Sequence, residues 1–313
     1  MSDAVLANFN KTKQKRKKMS RDEIILQVIC VHVVAILSIA IIVPVMYVVS
    51  MSLTSEAEIL RNSGRFVLFP QQITFTAYTW LLDGGWVFRS MFISVLRAFV
   101  GTVTMLFFTS MAAYTLTRKG MPGRNIFIML VLITILFGAG LIPNFLLITS
   151  LGLRNSFWVF IIPGLIDSWG LLIIKQNMEQ LPESLDEAAR LDGANDLQIY
   201  FRVVLPLSVP VLAVVALFSA VNHWNAWFDA LIYIENSDLW PFQLVLRNVL
   251  TGIIAMRNVE LGMPTHAMAL AAQVNNEALK MAAVVVGTIP ILCVYPFMQK
   301  FFTKGILTGS VKG

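Results

Sequence analysis

Long apolar stretches alternate with short polar ones along the 313 residues of the chain. Residues 24–55, 125–153, 203–228 and 281–299 contain no Asp, Glu, Lys or Arg. Residues 90–117 contain only Arg97, and residues 155–174 only Asp167. The six stretches run from 19 to 32 residues, and a helix of about 20 apolar residues crosses a hydrocarbon core about 30 Å thick. Nothing in lipid satisfies a free N–H or C=O, so each stretch is predicted to be a helix. Pro44, Pro143, Pro163, Pro210 and Pro290 lie in or near these stretches and predict bends that neighbouring helices support. The first stretch is too long for a signal peptide and no A-x-A-like cleavage site follows it, so it is expected to be retained.

The chain is 57% hydrophobic and only 13% charged, about half the charged share of an ordinary soluble domain. Its mean hydropathy is +0.73. That balance excludes a soluble globule, a disordered chain, collagen and a disulfide scaffold. Both cysteines, Cys30 and Cys293, fall in apolar stretches, and no Cys/His spacing suits a metal. The net charge of +6 would suggest nucleic acid in a soluble protein, but here the basic residues flank apolar stretches and report topology. With the N-terminus inside, 16 of the 24 Lys and Arg lie on the inner side, 7 on the outer side and Arg97 within a span. The bias predicts six transmembrane helices with both termini cytoplasmic. The chain then divides into a basic N-terminal arm (1–23), a membrane domain (24–302) and a C-terminal tail (303–313). The membrane domain includes an inner loop (179–206) and two external segments (56–89 and 231–280). The arm reads as a solvated, topology-fixing segment.

The inner loop contains Leu181-Pro182-Glu183-Ser184-Leu185-Asp186-Glu187-Ala188-Ala189-Arg190-Leu191-Asp192-Gly193-Ala194. Ser184 and Glu187 have capping-box spacing, Gly193 suits the left-handed position after a helix end, and Asn195 or Asp196 suits a second cap. Two short helices around a glycine hinge are predicted, the second ending near Leu205-Pro206. Ala188 and Ala189 flatten one face of the first helix for close packing against another protein. Glu187 and Arg190 offer charge-assisted contacts.

Glu187-Ala188-Ala189, Gly193, and Leu205-Pro206 twelve residues beyond it resemble the EAA loop of importer-type ABC permeases. Tyr295-Pro296-Phe297, followed by Gly305 and Thr308-Gly309-Ser310, resembles the tail of carbohydrate permeases related to the maltose importer. The segments from Gly140 to Leu153 and from His223 to Leu231 resemble the oligosaccharide branch of that group. The resemblance implies the type I ABC importer permease fold in a bacterial cytoplasmic membrane. It also implies a sister permease subunit, two cytoplasmic ATPase subunits and an extracytoplasmic sugar-binding protein. Carried over residue by residue, the helix that couples to the ATPase contains Glu187, Ala188, Ala189, Arg190, Asp192 and Gly193. The tail reaching the ATPase is Ser310, Val311, Lys312 and Gly313. The chain itself is expected to hold no cofactor and no metal, ATP and Mg being bound by the partner ATPase. It contains no G-x-x-x-x-G-K-[ST], H-E-x-x-H or G-x-S-x-G, so no catalytic residues are expected.

An intramembrane ionisable residue is costly and faces a cavity or a partner. Counted at 1.5 Å per residue, Arg97 lies roughly 11 Å and Asp167 roughly 18 Å below the outer face. Either they pair, or both line a cavity near the sister subunit; the alternative is that Arg97 snorkels to the outer headgroups. Trp224, Asn225, Trp227 and Asp229 are residue types that bind sugars, and equally the types of an interfacial aromatic belt. The external segment 231–280, with a helix expected over 266–279, suits either docking of a binding protein or a lid. The expected activity is ATP-driven import of a carbohydrate, an oligosaccharide in the first instance. Another polar solute, an ion-coupled carrier acting alone, and a membrane-embedded enzyme are the rivals. The carrier would show internal repeats and intramembrane carboxylates.

Overall fold

The computed structural model describes residues 20–62, 67–83, 85–251 and 276–309. Most of the N-terminal arm, the expected helix over 266–279 except its last residues 276–279, which open the final helix, and the tail residues Ser310, Val311, Lys312 and Gly313 lie outside the described residues. Among the described residues the regular elements are helical, with one antiparallel bridge joining Thr54 to Ile73.

Helix α1 (Arg21–Ser52) starts at a capping box. The Ser20 hydroxyl accepts from the Glu23 N–H at 3.2 Å, and the Glu23 carboxylate accepts from the Ser20 N–H at 2.7 Å. Its 32 residues extend about 48 Å, apolar on every face as a lipid-facing span is. Short helices α2 (Glu56–Arg61) and α3 (Thr76–Asp83) lead to α4 (Trp86–Thr117). The apolar stretch 125–153 is two helices, α5 (Arg124–Leu136) and α6 (Leu141–Ser150), bent by 118°. Stretch 155–174 begins as tight 3₁₀ turns at Phe157–Phe160 and Ile162–Gly164, then bends by 44° into α7 (Ser168–Met178). The loop helix α8 (Glu183–Leu191) follows. Next, α9 (Asp196–Ile199) passes through a π turn (Tyr200–Val204) into α10 (Leu205–Leu207). A 78° bend at Ser208 opens α11 (Val209–Asn225). The described chain ends with α12 (Phe228–Tyr233), α13 (Phe242–Leu250) and α14 (Asn276–Gly309).

Three of the six expected spans are therefore broken, and the prolines, at which bends were expected, do not mark the breaks one for one. Pro44 and Pro290 sit inside unbroken helices. The sharpest bend falls at residues 137–140, where Gly140 has φ +82°, a conformation that excludes other residues. Two described helices are each long and apolar enough to cross a membrane, and the three bent pairs raise the number to five. The expected sixth stretch, 281–299, lies within the single helix α14.

Helix α4 is the axis of the bundle. Its buried face is rich in small and hydroxyl-bearing residues, Ser90, Ser94, Gly101, Thr102, Thr109, Ser110 and Ala113, set among larger ones such as Ile93, Met105 and Leu116. Small residues let neighbouring backbones approach, and their hydroxyls bond across helices. Ser94 accepts from the Phe242 N–H at 2.8 Å, and Ser110 bonds the Tyr200 hydroxyl at 2.7 Å. Helices α7 and α11 pack against α4, while α1 packs mainly on α14 at the periphery. Helix α7 touches α11 at Gly170, where a Cβ would lie 2.9 Å from Val215 and 2.6 Å from the Asp167 carboxylate. Cys30 and Cys293 are free.

Replacing Gly170 with alanine is expected to force α7 off α11, an overpacking cost of about 1–3 kcal/mol. Gly120, which has open space around it, is the control. A lower melting midpoint in detergent for Gly170→Ala, with Gly120→Ala unchanged, is the expected result.

Candidate functional site

Two features stand apart from the apolar bundle: the charged loop at the α4 C-terminus, and a cavity between α4, α7 and α11.

In the loop, Pro182 precedes α8 and supplies no side-chain cap, so the helix begins one residue before Ser184 and the capping box expected at Ser184 and Glu187 does not form. Glu183 and Asp186 instead place negative charge in the first turn, where the helix dipole favours it. The helix ends as expected at Gly193, with φ +81°. The Gly193 N–H donates to Arg190 O and the Ala194 N–H to Ala189 O, each at 3.0 Å, the paired bonds of a Schellman turn. Asn195 then caps α9 through a reciprocal box with Gln198. The second loop helix ends near Leu205-Pro206 as expected, its last residue being Leu207.

Ion pairs hold this hairpin to the bundle. Arg118, at the α4 C-cap, bonds Asp186 at 2.8 Å, stacks over the Tyr114 ring and donates to the Tyr114 hydroxyl. That hydroxyl in turn donates to Asp196 O at 3.2 Å. Arg190 joins Asp186 and Asp196 at 3.0 and 2.5 Å. Lys119 pairs with Glu183, and Arg124 with Glu179. The hydrogen bond from Arg118 holds the Asp186 carboxyl below the usual aspartate range, against its partial burial, and Arg190 adds to the effect. Arg190 is thus committed inside the loop, whereas Glu187 has no ion-pair partner among the described residues. Ser184, Glu187, Ala188 and Leu191 recur at intervals of three and four along α8 and are all exposed. Leu191 is 89% exposed, an apolar side chain in water that the sequence reading passed over.

The cavity encloses about 820 Å³. Arg97 and Asp167 both open onto it, but they do not pair. Arg97, 3% exposed, forms a two-pronged ion pair with Asp229. It also donates to Ala226 O at 3.2 Å and lies 4.4 Å over the Phe160 ring. Its Nε reaches Nδ1 of His223 at 3.5 Å, so that nitrogen accepts and the ring proton sits on Nε2. Glycine at 101 leaves room for this ring, since a Cβ there would lie 2.3 Å from His223 Nε2. Arg97 neither snorkels to headgroups nor meets Asp167. The Asp167 N–H donates to Thr109 Oγ1 at 3.1 Å, which sets Asp167 level with a residue twelve positions along α4 from Arg97. That separation is about 18 Å, beyond an arginine's reach. The depth count assumed an unbroken helix from residue 155, whereas 3₁₀ turns at Phe157–Phe160 and Ile162–Gly164 precede Asp167; their greater rise adds about 4 Å and accounts for part of the difference. Asp167 caps α7, accepting from the Gly170 N–H at 2.7 Å.

The remaining candidates disperse. Trp224 is buried against α4 and α14 beside Val95, Phe99 and Pro290, in an apolar groove separate from the cavity. Trp227 lies under the Arg247 guanidinium at 4.7 Å and packs with an outer cluster around Ile93 and Phe160. Asn225 is exposed and does not line the cavity. The cavity instead gathers residues not singled out in the sequence: Trp169, Phe218, Ser219 and Asn222. A readable signal existed in part, because Val215, Phe218, Ser219, Asn222 and Ala226 repeat along one face of α11.

Residues 120–308 match the family described as "Binding-protein-dependent transport system inner membrane component". The chain is 41% identical over 276 residues to Protein LplC of Bacillus subtilis strain 168, covering 87% of this chain and 90% of that one. It is 38% identical over 272 residues to the polygalacturonan/rhamnogalacturonan transport system permease protein YtcP of the same organism, covering 87% and 93%. Among solved structures, it is similar to a bacterial ABC transporter involved in the import of the acidic polysaccharide alginate. The TM-score is 0.81 and the identity 31%, over 91% of this chain and 99% of that one.

The loop clamp has a pH signature. A depressed Asp186 pKa stabilises the clamp above the ordinary aspartate value of about 3.9 and withdraws that support as pH falls through the lowered value. Amide protection in residues 183–198, taken relative to the intrinsic exchange rate at each pH, is expected to fall below about pH 4. In Arg118→Gln the protection should already be low at neutral pH, with a smaller acid step.

Proposed function

The chain belongs to the family of binding-protein-dependent transport system inner membrane components, and from that premise we propose a specific assembly and route for it. Its fold is that of a type I ABC importer permease, and it is a membrane permease subunit of a saccharide import system rather than an enzyme. ABC importers of this kind work with an ATPase and a substrate-binding protein. In the proposed assembly the chain pairs with a sister permease in the bacterial cytoplasmic membrane. It crosses six times, with both termini inside, and the three domain segments keep the boundaries expected from sequence. The separate ATPase subunits bind ATP and Mg. Glu187, Ala188, Ala189, Arg190, Asp192 and Gly193 form the element that the ATPase grips, with Ser310, Val311, Lys312 and Gly313 as a further contact.

The observation that carries this reading is the outer stripe of α8. Four exposed residues, one a bare leucine, stand on a helix whose opposite side is tied by ion pairs to α4. A handle must be both accessible and rigidly attached, and this helix is both. Pulling on it moves α7, α11 and, through Arg118, α4. The cavity bounded by those three helices would then open to one side at a time, with Arg97, Asp167 and Asp229 along the route. Asn225 and Trp227 are proposed to flank its outer end, whereas Trp224, buried against α14, packs the helices behind it. The saccharide cargo is supported by the relatives, one named for polygalacturonan and rhamnogalacturonan and another system for alginate.

Replacing Leu191 with aspartate, or Ala188 with tryptophan, is expected to remove an interface anchor of at least about 2 kcal/mol, roughly thirtyfold in affinity. Copurified ATPase should fall accordingly while the melting midpoint of the permease holds. Undiminished ATPase capture and binding-protein-stimulated hydrolysis would overturn the proposed handle.

A further inference from the structure

The cavity contains a group whose features the transport reading leaves unused. Trp169, the second residue of α7, is 49% exposed on the cavity wall. Phe218 meets its ring edge to face at 5.6 Å and 87°, which fixes the indole plane from α11. Two residues before Trp169, Asp167 commits Oδ2 to the Gly170 N–H, while its Oδ1 has no hydrogen-bond partner among the described residues. No cation pairs with Asp167 among the described residues: Arg97 lies out of reach and is held by Asp229. Ser168 and Thr134 bond each other at 2.8 Å beside the ring, and Asn222 lies exposed on the same wall.

We propose that Trp169 and Asp167 form a saccharide-ring subsite in this subunit's half of the pathway. A sugar ring has an apolar C–H face and a rim of hydroxyls. The C–H face stacks on the indole, and a rim hydroxyl donates to Asp167 Oδ1. The subsite is built rather than incidental: the helix cap fixes the carboxylate and the Phe218 edge fixes the indole. The uncompensated negative charge also sets the orientation of any uronate unit, whose own carboxylate must point away from Asp167. The inference rests on the saccharide reading above and adds to it that this subunit, and not only its sister, touches the cargo.

The test uses the complete importer in proteoliposomes, with saturating binding protein and two radiolabelled probes, arabinotriose and trigalacturonate. The readout is saccharide carried per ATP hydrolysed. Trp169→Ala is expected to lower that ratio about tenfold, the scale of one lost aromatic stack, whereas Trp169→Phe keeps it within about twofold of the unaltered importer. An unchanged ratio in Trp169→Ala, or transport and hydrolysis falling in parallel, overturns the subsite. Failure of Trp169→Ala to copurify with the sister subunit also overturns it, since the indole is then a protein contact. An unaltered importer that hydrolyses ATP but carries neither trisaccharide sinks the saccharide reading itself, and the subsite with it.

Discussion

In hydrocarbon an unpaired backbone N–H or C=O costs several kcal/mol, and that constraint shapes the irregular parts of this bundle. Three apolar stretches are broken, and at two of the breaks backbone groups are covered by the chain itself. Ser208, at the 78° bend, donates its N–H to Val204 and Leu205 carbonyls at 3.0 and 3.2 Å. Asp167 covers the α7 start with its carboxylate, and its own N–H goes to Thr109. The straight helix α4 makes this possible: its hydroxyl-bearing face supplies partners at the depth where α7 and the π turn need them. A leucine-faced helix at that position would pack as tightly and leave those groups unpaired.

Helix α4 also joins the two polar features. At one end Arg118 holds the α8–α9 hairpin, and near the other Arg97 holds Asp229, His223 and the corner after α11. Both arginines are pinned by a carboxylate and an aromatic ring together. A half-buried guanidinium so held forms several bonds in fixed directions, so displacement of the hairpin is passed to the helix instead of being absorbed by side-chain rotation. The chain therefore has a stiff member running from the handle to the cavity mouth. Helices α7 and α11, which flank the handle in sequence, carry bends of 44° and 78° at their junctions. Those bends suit hinges, so the straight member and the bent ones divide the work of transmitting and accommodating motion.

Much of this was legible from residue order. Six apolar stretches, the glycine that ends α8 and the asparagine that starts α9 follow from hydropathy and local cap chemistry, both of which act within a few residues. The breaks were not legible, because a proline or glycine in an apolar stretch permits a bend without requiring one. Pro44 and Pro290 lie in continuous helices, while the 118° turn falls at Gly140. The partner of Arg97 was misread for a related reason. Depth counted at a uniform rise assumes an unbroken helix, and the 3₁₀ turns before Asp167 violate that assumption, while Asp229 lies just beyond the end of α11, outside the stretches searched. Trp224 shows the opposite failure: its residue type suits a sugar, but its helical phase turns it toward α14.

Charge placement along the cavity follows the same economy. A lone arginine at this depth would be expensive, and a permanent ion pair with Asp229 removes most of that cost while withdrawing the positive charge from the pathway. What remains facing the cavity is largely neutral hydrogen-bonding surface, Ser168, Ser219 and Asn222, together with aromatic rings and one carboxylate. Such a lining offers many weak, exchangeable bonds and no deep electrostatic trap, as a route must if its cargo is to leave as readily as it enters. A cluster of free cations would bind an acidic saccharide more tightly but would also hold it, so the pairing of Arg97 favours passage over retention.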